Sequence, residues 1–182
     1  MVLFLDTHLS DVVVIIYNNG KIEKYEKIGC KQQSEVIMPL LASVLDEYNP
    51  SSIIVVNGPG FFTSVRLGVT VAKTLAYTLN IPIRTITSLE CLAVSSNLND
   101  NKIVGINDNN GYYIGSFNSK NEVIGSYQYL SKSEYEDFSK ENNILLNVEL
   151  DYQKIIEWTL NKKSINPHQV NPIYIKKLDV EK

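Results

Sequence analysis

Apolar and polar positions follow two different periods along the first half of the chain. Short runs of apolar, often β-branched residues predict strands, and apolar residues spaced three and four apart predict helices. The predicted elements are, in order, strands at 2–6, 12–17 and 21–28, a helix at 33–48, a strand at 53–56, a helix at 62–79, a strand at 83–86 and a short helix at 89–94. Three successive strands followed by alternating helices and strands predict a mixed sheet covered by helices.

The second half begins with another series of strands. A polar segment at 97–101 separates it from the first half and indicates a domain boundary. The predicted elements are strands at 102–107, 112–117 and 122–129, a helix at 131–139, a strand at 144–148, a helix at 152–160 and an irregular tail.

Most of these helices begin near a side chain that can accept a hydrogen bond from the first helical turn. The candidate caps are Ser34, Thr63 or Ser64, Thr87 or Ser88, Ser131 and Asp151. Glu134 follows Ser131 by three residues, which is the spacing of a capping box.

The loop at residues 57–60, Asn-Gly-Pro-Gly, admits two interpretations. A glycine-rich turn that opens a helix can hold a phosphate on its free N–H groups. The same turn can simply connect a strand to a helix. The pattern matches neither the P-loop nor G-x-G-x-x-G, and Phe61 and Phe62 would crowd a phosphate, so the structural connection is favoured.

The helix at 62–79 carries a wider apolar arc than packing on one sheet requires. One broad face contains Val65, Gly68, Val69, Ala72, Leu75, Ala76 and Leu79. Leu67 and Val71 extend the arc toward a second flank. Two hypotheses follow: an ordinary buried helix, or a helix with one flank on its own sheet and the other on a partner helix.

Composition narrows the class of protein. The chain has 182 residues, 44% hydrophobic and 20% charged, with a net charge of -3. One domain or two small ones are expected, with a sizeable core and without a strong field for polyanions. No leader pattern precedes Val2 and no apolar run reaches membrane-spanning length, so a cytoplasmic protein without membrane contact is expected.

Residues that bind metals are few. Cys30 and Cys91 are the only cysteines, and His8 and His168 are the only histidines. Their spacing matches no zinc motif, so no metal site is expected. Asp6 ends the first strand, but one carboxylate specifies no ligand by itself.

Residues 57–68 resemble the signature G-P-G-S-F-T-G-L-R-x-G of the TsaB family, also called YeaZ, and read G-P-G-F-F-T-S-V-R-L-G here. The shared positions are Gly58, Pro59, Gly60, Phe62, Thr63, Arg66 and Gly68. Shorter matches to the family lie at Asp6-Thr7, 33–39, 81–82, 87–90 and 172–176. The resemblance is firm over residues 1–95 and weaker beyond.

One family motif is altered in this chain. The second half of TsaB-like proteins usually begins with D-A-R, where this chain has Asn107 and Asn109 in place of the acid and the base. Any role of that acid and base is therefore in doubt here.

The resemblance implies an α/β fold of the actin-like ATPase superfamily, which is ribonuclease H-like, with two lobes and mixed sheets. Residues 1–95 would form the N-terminal lobe that carries the partner-binding helices. Residues 96–182 would form a reduced C-terminal lobe with a terminal tail.

The resemblance also implies a non-catalytic accessory subunit. It would bind a TsaD-like protein, together with a TsaE-like ATPase, for the threonylcarbamoyladenosine modification of tRNA next to the anticodon. The chain alone would bind no cofactor, although ATP or ADP could lie at the TsaD interface. It would form a homodimer when alone, and tRNA would be reached only through the complex.

The helices at 34–48 and 62–79 align with the family's interface helices. The expected partner-binding residues are Glu35, Met38, Leu41, Val65, Val69, Ala72, Lys73 and Ala76. The loop motif contributes Gly58, Pro59, Gly60, Thr63, Arg66 and Gly68 as structural residues.

Two enzymatic alternatives stay open. A glycoprotease-like hydrolase needs a nucleophile with a base or a metal, and neither histidine has an obvious partner in the sequence. An actin-like small-molecule kinase needs phosphate-loop chemistry, which the loop at 57–60 lacks.

Overall fold

The computed structural model describes residues 1–176. The predicted C-terminal lobe was assigned to residues 96–182, so its part at 177–182 lies outside the described residues. No helix in the described part of the chain is both long enough and apolar enough to cross a membrane.

The first half forms a five-stranded sheet with the strand order β3-β2-β1-β4-β5. Its elements are β1 (Val2–Asp6), β2 (Asp11–Asn18), β3 (Lys21–Gly29), α1 (Gln33–Glu47), β4 (Ser52–Val56), α2 (Phe62–Leu79), β5 (Ile83–Ile86) and α3 (Ser88–Ser95). Strands β1, β2 and β3 pair antiparallel, whereas β1, β4 and β5 pair parallel. The predicted mixed sheet is confirmed.

The hairpin between β2 and β3 depends on two residues with left-handed backbone. Asn19 has φ of 50° and Gly20 has φ of 83°. Positive φ at both central residues matches the right-handed twist of the flanking strands, and asparagine and glycine adopt it most readily. The Asn-Gly pair therefore determines where the antiparallel part of the sheet turns back.

Helices cover both faces of this sheet. Alternate strand residues such as Leu3, Leu5 and Val55 pack under α1 and α2. Phe4, Ile54 and their neighbours point to the opposite face, where they form a second cluster with α3 and the C-terminal helix. Every residue of β1 and β4 is buried, because both strands lie in the centre of the sheet.

The second half forms a four-stranded sheet with the order β8-β7-β6-β9. Its elements are β6 (Lys102–Asp108), β7 (Gly111–Phe117), β8 (Gln128–Ser131), α4 (Lys132–Glu141), β9 (Ile144–Leu145), α5 (Tyr152–Leu160) and a 3-10 helix at Pro167–Gln169. Leu89 and Ala93 of α3 pack with Val104 and Phe117 of this sheet. Helix α3 therefore contacts both sheets.

Two strands are shorter than predicted. The strand predicted at 122–129 begins only at Gln128, because Asn121 and Gly125 adopt positive φ and interrupt an extended conformation. Val123 keeps a single bridge to Phe117. The strand predicted at 144–148 is limited to two residues.

The C-terminal segment returns to the first sheet. Ile155 and Ile156 of α5 are buried in the cluster beneath that sheet. The Ile165 amide then donates to the Ile83 carbonyl at 2.9 Å, and the Ile173 amide donates to the Asn57 carbonyl at 2.8 Å. The division at residues 1–95 and 96–182 stays a prediction, since the second half also contributes to the packing of the first sheet.

The N-terminal caps of the helices were predicted correctly for three helices and wrongly for two. Thr87, Ser131 and Asp151 accept hydrogen bonds from the first turns of α3, α4 and α5, as predicted. The caps predicted for α1 and α2 are wrong: Gln32 and Phe61 occupy those positions, and neither makes a side-chain cap hydrogen bond. These two helices are oriented by packing on the sheet instead.

The capping box of α3 provides a stability test. Thr87→Ala removes the bond from the Glu90 amide at 3.0 Å and a contact with the Tyr127 hydroxyl at 3.0 Å. We expect the free energy of unfolding to fall by about 1–2 kcal/mol, measured by urea denaturation. Ser43→Ala, at an exposed position of α1, is the control and should change it by less than about 0.5 kcal/mol. Equal stability of both variants would contradict a stabilising cap.

Candidate functional site

Five of the predicted partner-binding residues face the protein's own core. Leu41 in α1 and Val65, Val69, Ala72 and Ala76 in α2 are at most 3% exposed and pack on the first sheet. The wide apolar face of α2 is buried by the sheet beneath it, and the expectation that these five residues contribute to partner binding stays a prediction.

Small residues bring α2 close to β1 and to the turn that follows. A Cβ atom on Gly68 would overlap the Thr7 hydroxyl, and one on Gly60 would overlap the His8 carbonyl. The Thr7 hydroxyl also donates to the Ser64 carbonyl at 2.7 Å. Gly68, Ala72 and Ala76, which stand four residues apart on α2, therefore lie against the chain's own sheet.

The outward flanks of α1 and α2 lie side by side. Ser34, Ser64 and Leu67 line one cavity between the starts of the two helices. Met38 follows Ser34 by four residues and so lies on the same flank of α1; its side chain is 53% exposed. Val71 occupies the equivalent position after Leu67 and is half-buried.

We call this area the inter-helix surface, defined by Ser34, Met38, Ala42, Leu67 and Val71. Of the predicted residues, Met38 belongs to it and exposed Glu35 lies next to it. Leu67, Val71 and Ala42 were not among the predicted contacts. The sequence did show Leu67 and Val71 as a second apolar flank of α2. Its periodicity did not show which of the two flanks would pack on the sheet.

Lys73, whose predicted partner contact stays a prediction, has a hydrogen-bond partner within the chain. It is half-buried, and its Nζ atom donates to the Val170 carbonyl at 3.2 Å. Val170 itself is buried in the core under α1 and α2. Lys73 therefore anchors the C-terminal segment to α2.

The glycine loop is held by backbone hydrogen bonds within the protein. The Ser88 amide donates to the Gly58 carbonyl at 2.9 Å, and the Phe61 amide donates to the His8 carbonyl at 2.8 Å. The Gly58–Pro59 peptide bond is cis, and Gly58 has φ of 100°. These contacts fit the structural connection that the sequence favours, because two of the loop's polar groups are used internally.

Thr63 and Arg66 are the exposed members of the loop motif. The Arg66 guanidinium carbon lies 5.1 Å from the centroid of the Phe62 ring. Arginine at this distance from an aromatic face gains a cation–π attraction. The motif therefore presents a cation beside exposed aromatic rings.

A cavity of about 360 Å³ opens beside this loop. Phe61, Phe62 and Tyr174 line one side of it, and Asp108 and Tyr113 line the other. Burial raises the pKa of the Tyr113 hydroxyl, so this phenol stays neutral at physiological pH. The cavity is largely aromatic with a polar end.

The polar end combines three side chains. Lys176 lies 3.7 Å from Asp108, and the Tyr129 hydroxyl donates to the Asp108 carboxylate at 3.0 Å. The hydrogen bond with Tyr129 raises the pKa of Lys176, so the lysine stays charged. Asn107 and Asn109, which replace the family's acid and base, are exposed, and Asp108 between them is the residue that faces the cavity.

His8 does have a partner, which the sequence did not reveal. Its Nδ1 atom lies 2.6 Å from the Asp6 carboxylate, which also accepts from the His8 amide at 3.0 Å. Asp6 and His8 are both buried. The two hydrogen bonds link the side chains at the end of β1. In residues 1–176, no group of three or more His, Cys, Asp or Glu side chains could hold a metal ion.

Sequence comparison connects these features to known proteins. The family model described as "TsaD: tRNA N6-adenosine threonylcarbamoyltransferase" matches residues 27–108. The tRNA threonylcarbamoyladenosine biosynthesis protein TsaB of Bacillus subtilis (strain 168) is 35% identical over 119 residues, covering 62% of this chain and 52% of that protein. The Escherichia coli (strain K12) TsaB is 25% identical over 97 residues, covering 50% and 42%. The chain spans about half the length of the curated relatives it matches.

Structure comparison identifies the fold class. YeaZ from Pseudomonas aeruginosa superposes with a TM-score of 0.75 at 17% identity, covering 94% of this chain and 99% of that one. The predicted α/β fold with mixed sheets is therefore confirmed, and the actin-like superfamily stays a prediction. The resemblance to the TsaB (YeaZ) family is confirmed as well, since the curated homologues carry the name TsaB and the matching structure is a YeaZ.

The close approach of α2 to β1 yields a test. At a solvent-exposed helix position, replacing glycine with alanine usually stabilises the helix. For Gly68→Ala we expect instead a loss of about 1–3 kcal/mol in the free energy of unfolding, because the new methyl group would overlap the Thr7 side chain. The measurement is urea denaturation of Gly68→Ala, Thr7→Ala and the double variant.

The double variant is the control. Removing the Thr7 hydroxyl makes room for the methyl group, so its loss of stability should be smaller than the sum of the two single losses. An increase in stability for Gly68→Ala alone would show that α2 and β1 are not in close contact.

Proposed function

We propose that this protein is a non-catalytic subunit that binds a TsaD-like protein and supports threonylcarbamoyladenosine formation in tRNA. A TsaE-like ATPase would join the complex, and ATP or ADP would bind at the interface rather than to this chain alone. The observation that carries the proposal is the inter-helix surface, which exposes apolar side chains on two helices that share one face of the first sheet.

The composition of this surface suits a protein contact. Met38 is unbranched and polarizable, so it adapts to an opposing surface. Leu67 and Val71 present an apolar row beside it, and Glu35 gives a charge at the edge. Apolar centres with polar margins are typical of protein interfaces.

The family match supports a related partner. The model named for TsaD covers residues 27–108, which include both α1 and α2. A related chain would therefore carry equivalent helices. Two related chains can pair through equivalent patches about an approximate two-fold axis, and two copies of this chain could pair in the same way. We accordingly propose a homodimer for the isolated protein.

The buried polar pair argues for a non-catalytic role. His8 is 7% exposed and bonded to Asp6, so it is poorly placed to act as a base on an external substrate. Hydrolysis of ATP or of a peptide by the isolated chain would instead favour the kinase or glycoprotease-like alternative.

The decisive experiment is size-exclusion chromatography with light scattering, on the chain alone and mixed with a TsaD-like protein from the same genome. We expect a dimer that converts to a complex containing one copy of each chain. A monomer that does not bind the TsaD-like protein would overturn the proposal.

Substitutions at the inter-helix surface make the test specific. Met38→Arg and Val71→Arg should weaken the complex at least about tenfold, because each places a charge in the apolar centre. Tyr77→Arg is the matched control, since Tyr77 is exposed on the other flank of α2 near His168. Circular dichroism checks that all three variants remain folded. Equal loss of binding for Tyr77→Arg would show that the inter-helix surface is not the contact.

A further inference from the structure

The cavity beside the glycine loop belongs to a longer groove. A second cavity, of about 560 Å³, lies between the starts of α1 and α2. Phe61 and Thr63 line both cavities. The two cavities therefore adjoin at the start of α2, and Lys31 is one of the residues that line the second one.

Three aromatic side chains stand exposed along this groove. Phe61 and Phe62 are each 44% exposed, and Tyr174 is 53% exposed. The rings of Phe62 and Tyr174 lie 5.2 Å apart and are tilted by 35°. Exposing this much aromatic surface in one place is unfavourable in water, and such patches usually mark a binding site.

Cations border the aromatic rings. Arg66 lies over Phe62, and Lys31 is exposed and lines the second cavity. Within residues 1–176, Asp108 is the one acidic residue that lines the groove, and it is paired with Lys176. The groove is therefore locally neutral to positive, although the chain as a whole has a net charge of -3.

Aromatic faces flanked by cations suit single-stranded nucleic acid. Every base can stack on an aromatic ring, and arginine and lysine can contact the phosphates between bases. A cavity of about 360 Å³ can accept a single base. A wholly apolar partner helix would leave Arg66, Lys31 and Thr63 without matching groups.

We propose that this groove binds a single-stranded segment of RNA, with one base stacked on Phe62 and Tyr174 and a neighbouring phosphate on Arg66. The inference deepens the proposed function, because the chain would then contact the tRNA substrate directly instead of only through its partner. It places the RNA contact at the start of α2, next to the inter-helix surface. The stacking and phosphate contacts use Phe62, Tyr174 and Arg66, whereas Ser34 and Leu67 line the second cavity and also belong to the inter-helix surface.

Fluorescence anisotropy tests the proposal with the full chain and an end-labelled single-stranded RNA of about ten nucleotides, a length within the usual site size. We expect salt-dependent binding that a duplex RNA of the same length does not match. Phe62→Ala should weaken binding about fivefold or more, whereas Phe62→Trp should preserve it, because tryptophan also stacks.

Two further variants test whether the charge of Arg66 contacts a phosphate and whether binding requires aromatic residues inside the groove. Arg66→Gln should lower the slope of log Kd against log salt by about 0.7, the value for one phosphate contact on a single strand. Tyr77→Ala removes an exposed aromatic side chain of the same helix outside the groove and should leave binding unchanged. Thermal unfolding checks that each variant is folded.

The outcomes separate this proposal from the proposed function. No binding of the RNA at low salt, or binding that Phe62→Ala and Arg66→Gln leave unchanged, would overturn the RNA groove. Loss of the TsaD-like partner in chromatography of Phe62→Ala would also overturn it and would assign the groove to the protein interface. Failure of RNA binding while the complex still forms would leave the subunit role intact.

Discussion

The contact between α2 and the end of β1 is the constraint on which the rest of the structure depends. Gly68 and Gly60 have no side chain where Thr7 and the His8 carbonyl approach, so α2 can lie directly on the centre of the sheet. Its apolar face is then buried by β1 and β4, and its other flank is left beside α1. The position of the proposed partner surface follows from this one close approach.

The same contact positions the groove. Because α2 begins at Phe62 beside β1, the loop before it places Phe61 and Phe62 at the surface. The C-terminal segment completes the groove: the Ile173 amide bonds to the Asn57 carbonyl, and Tyr174 reaches Phe62. Lys73 holds this segment through the Val170 carbonyl. Residues 57–73 and residues 170–174 thus meet at one site.

The sequence predicted much of the fold because its signals were local. β-branched runs, the caps at Thr87 and Asp151, and the capping box at Ser131 each act within a few residues, and each is found where expected. Predictions that required a distant neighbour were less accurate. The predicted strand at 122–129 was too long. The caps assigned to α1 and α2 were wrong, because packing on the sheet and bonds to the segment after β1, such as that from Thr7 to the Ser64 carbonyl, hold these helices instead.

For the candidate site, the sequence by itself determined that α1 and α2 are amphipathic, that the loop at 57–60 is a turn, and that the chain resembles the TsaB family. Only the tertiary structure decided which flank of α2 is buried, so Val69 and Ala72 moved from the expected surface to the core. It also paired His8 with Asp6 and brought Tyr174 beside Phe62. The periodicity of a helix shows which of its residues share a face. What packs against that face depends on residues far away in the chain.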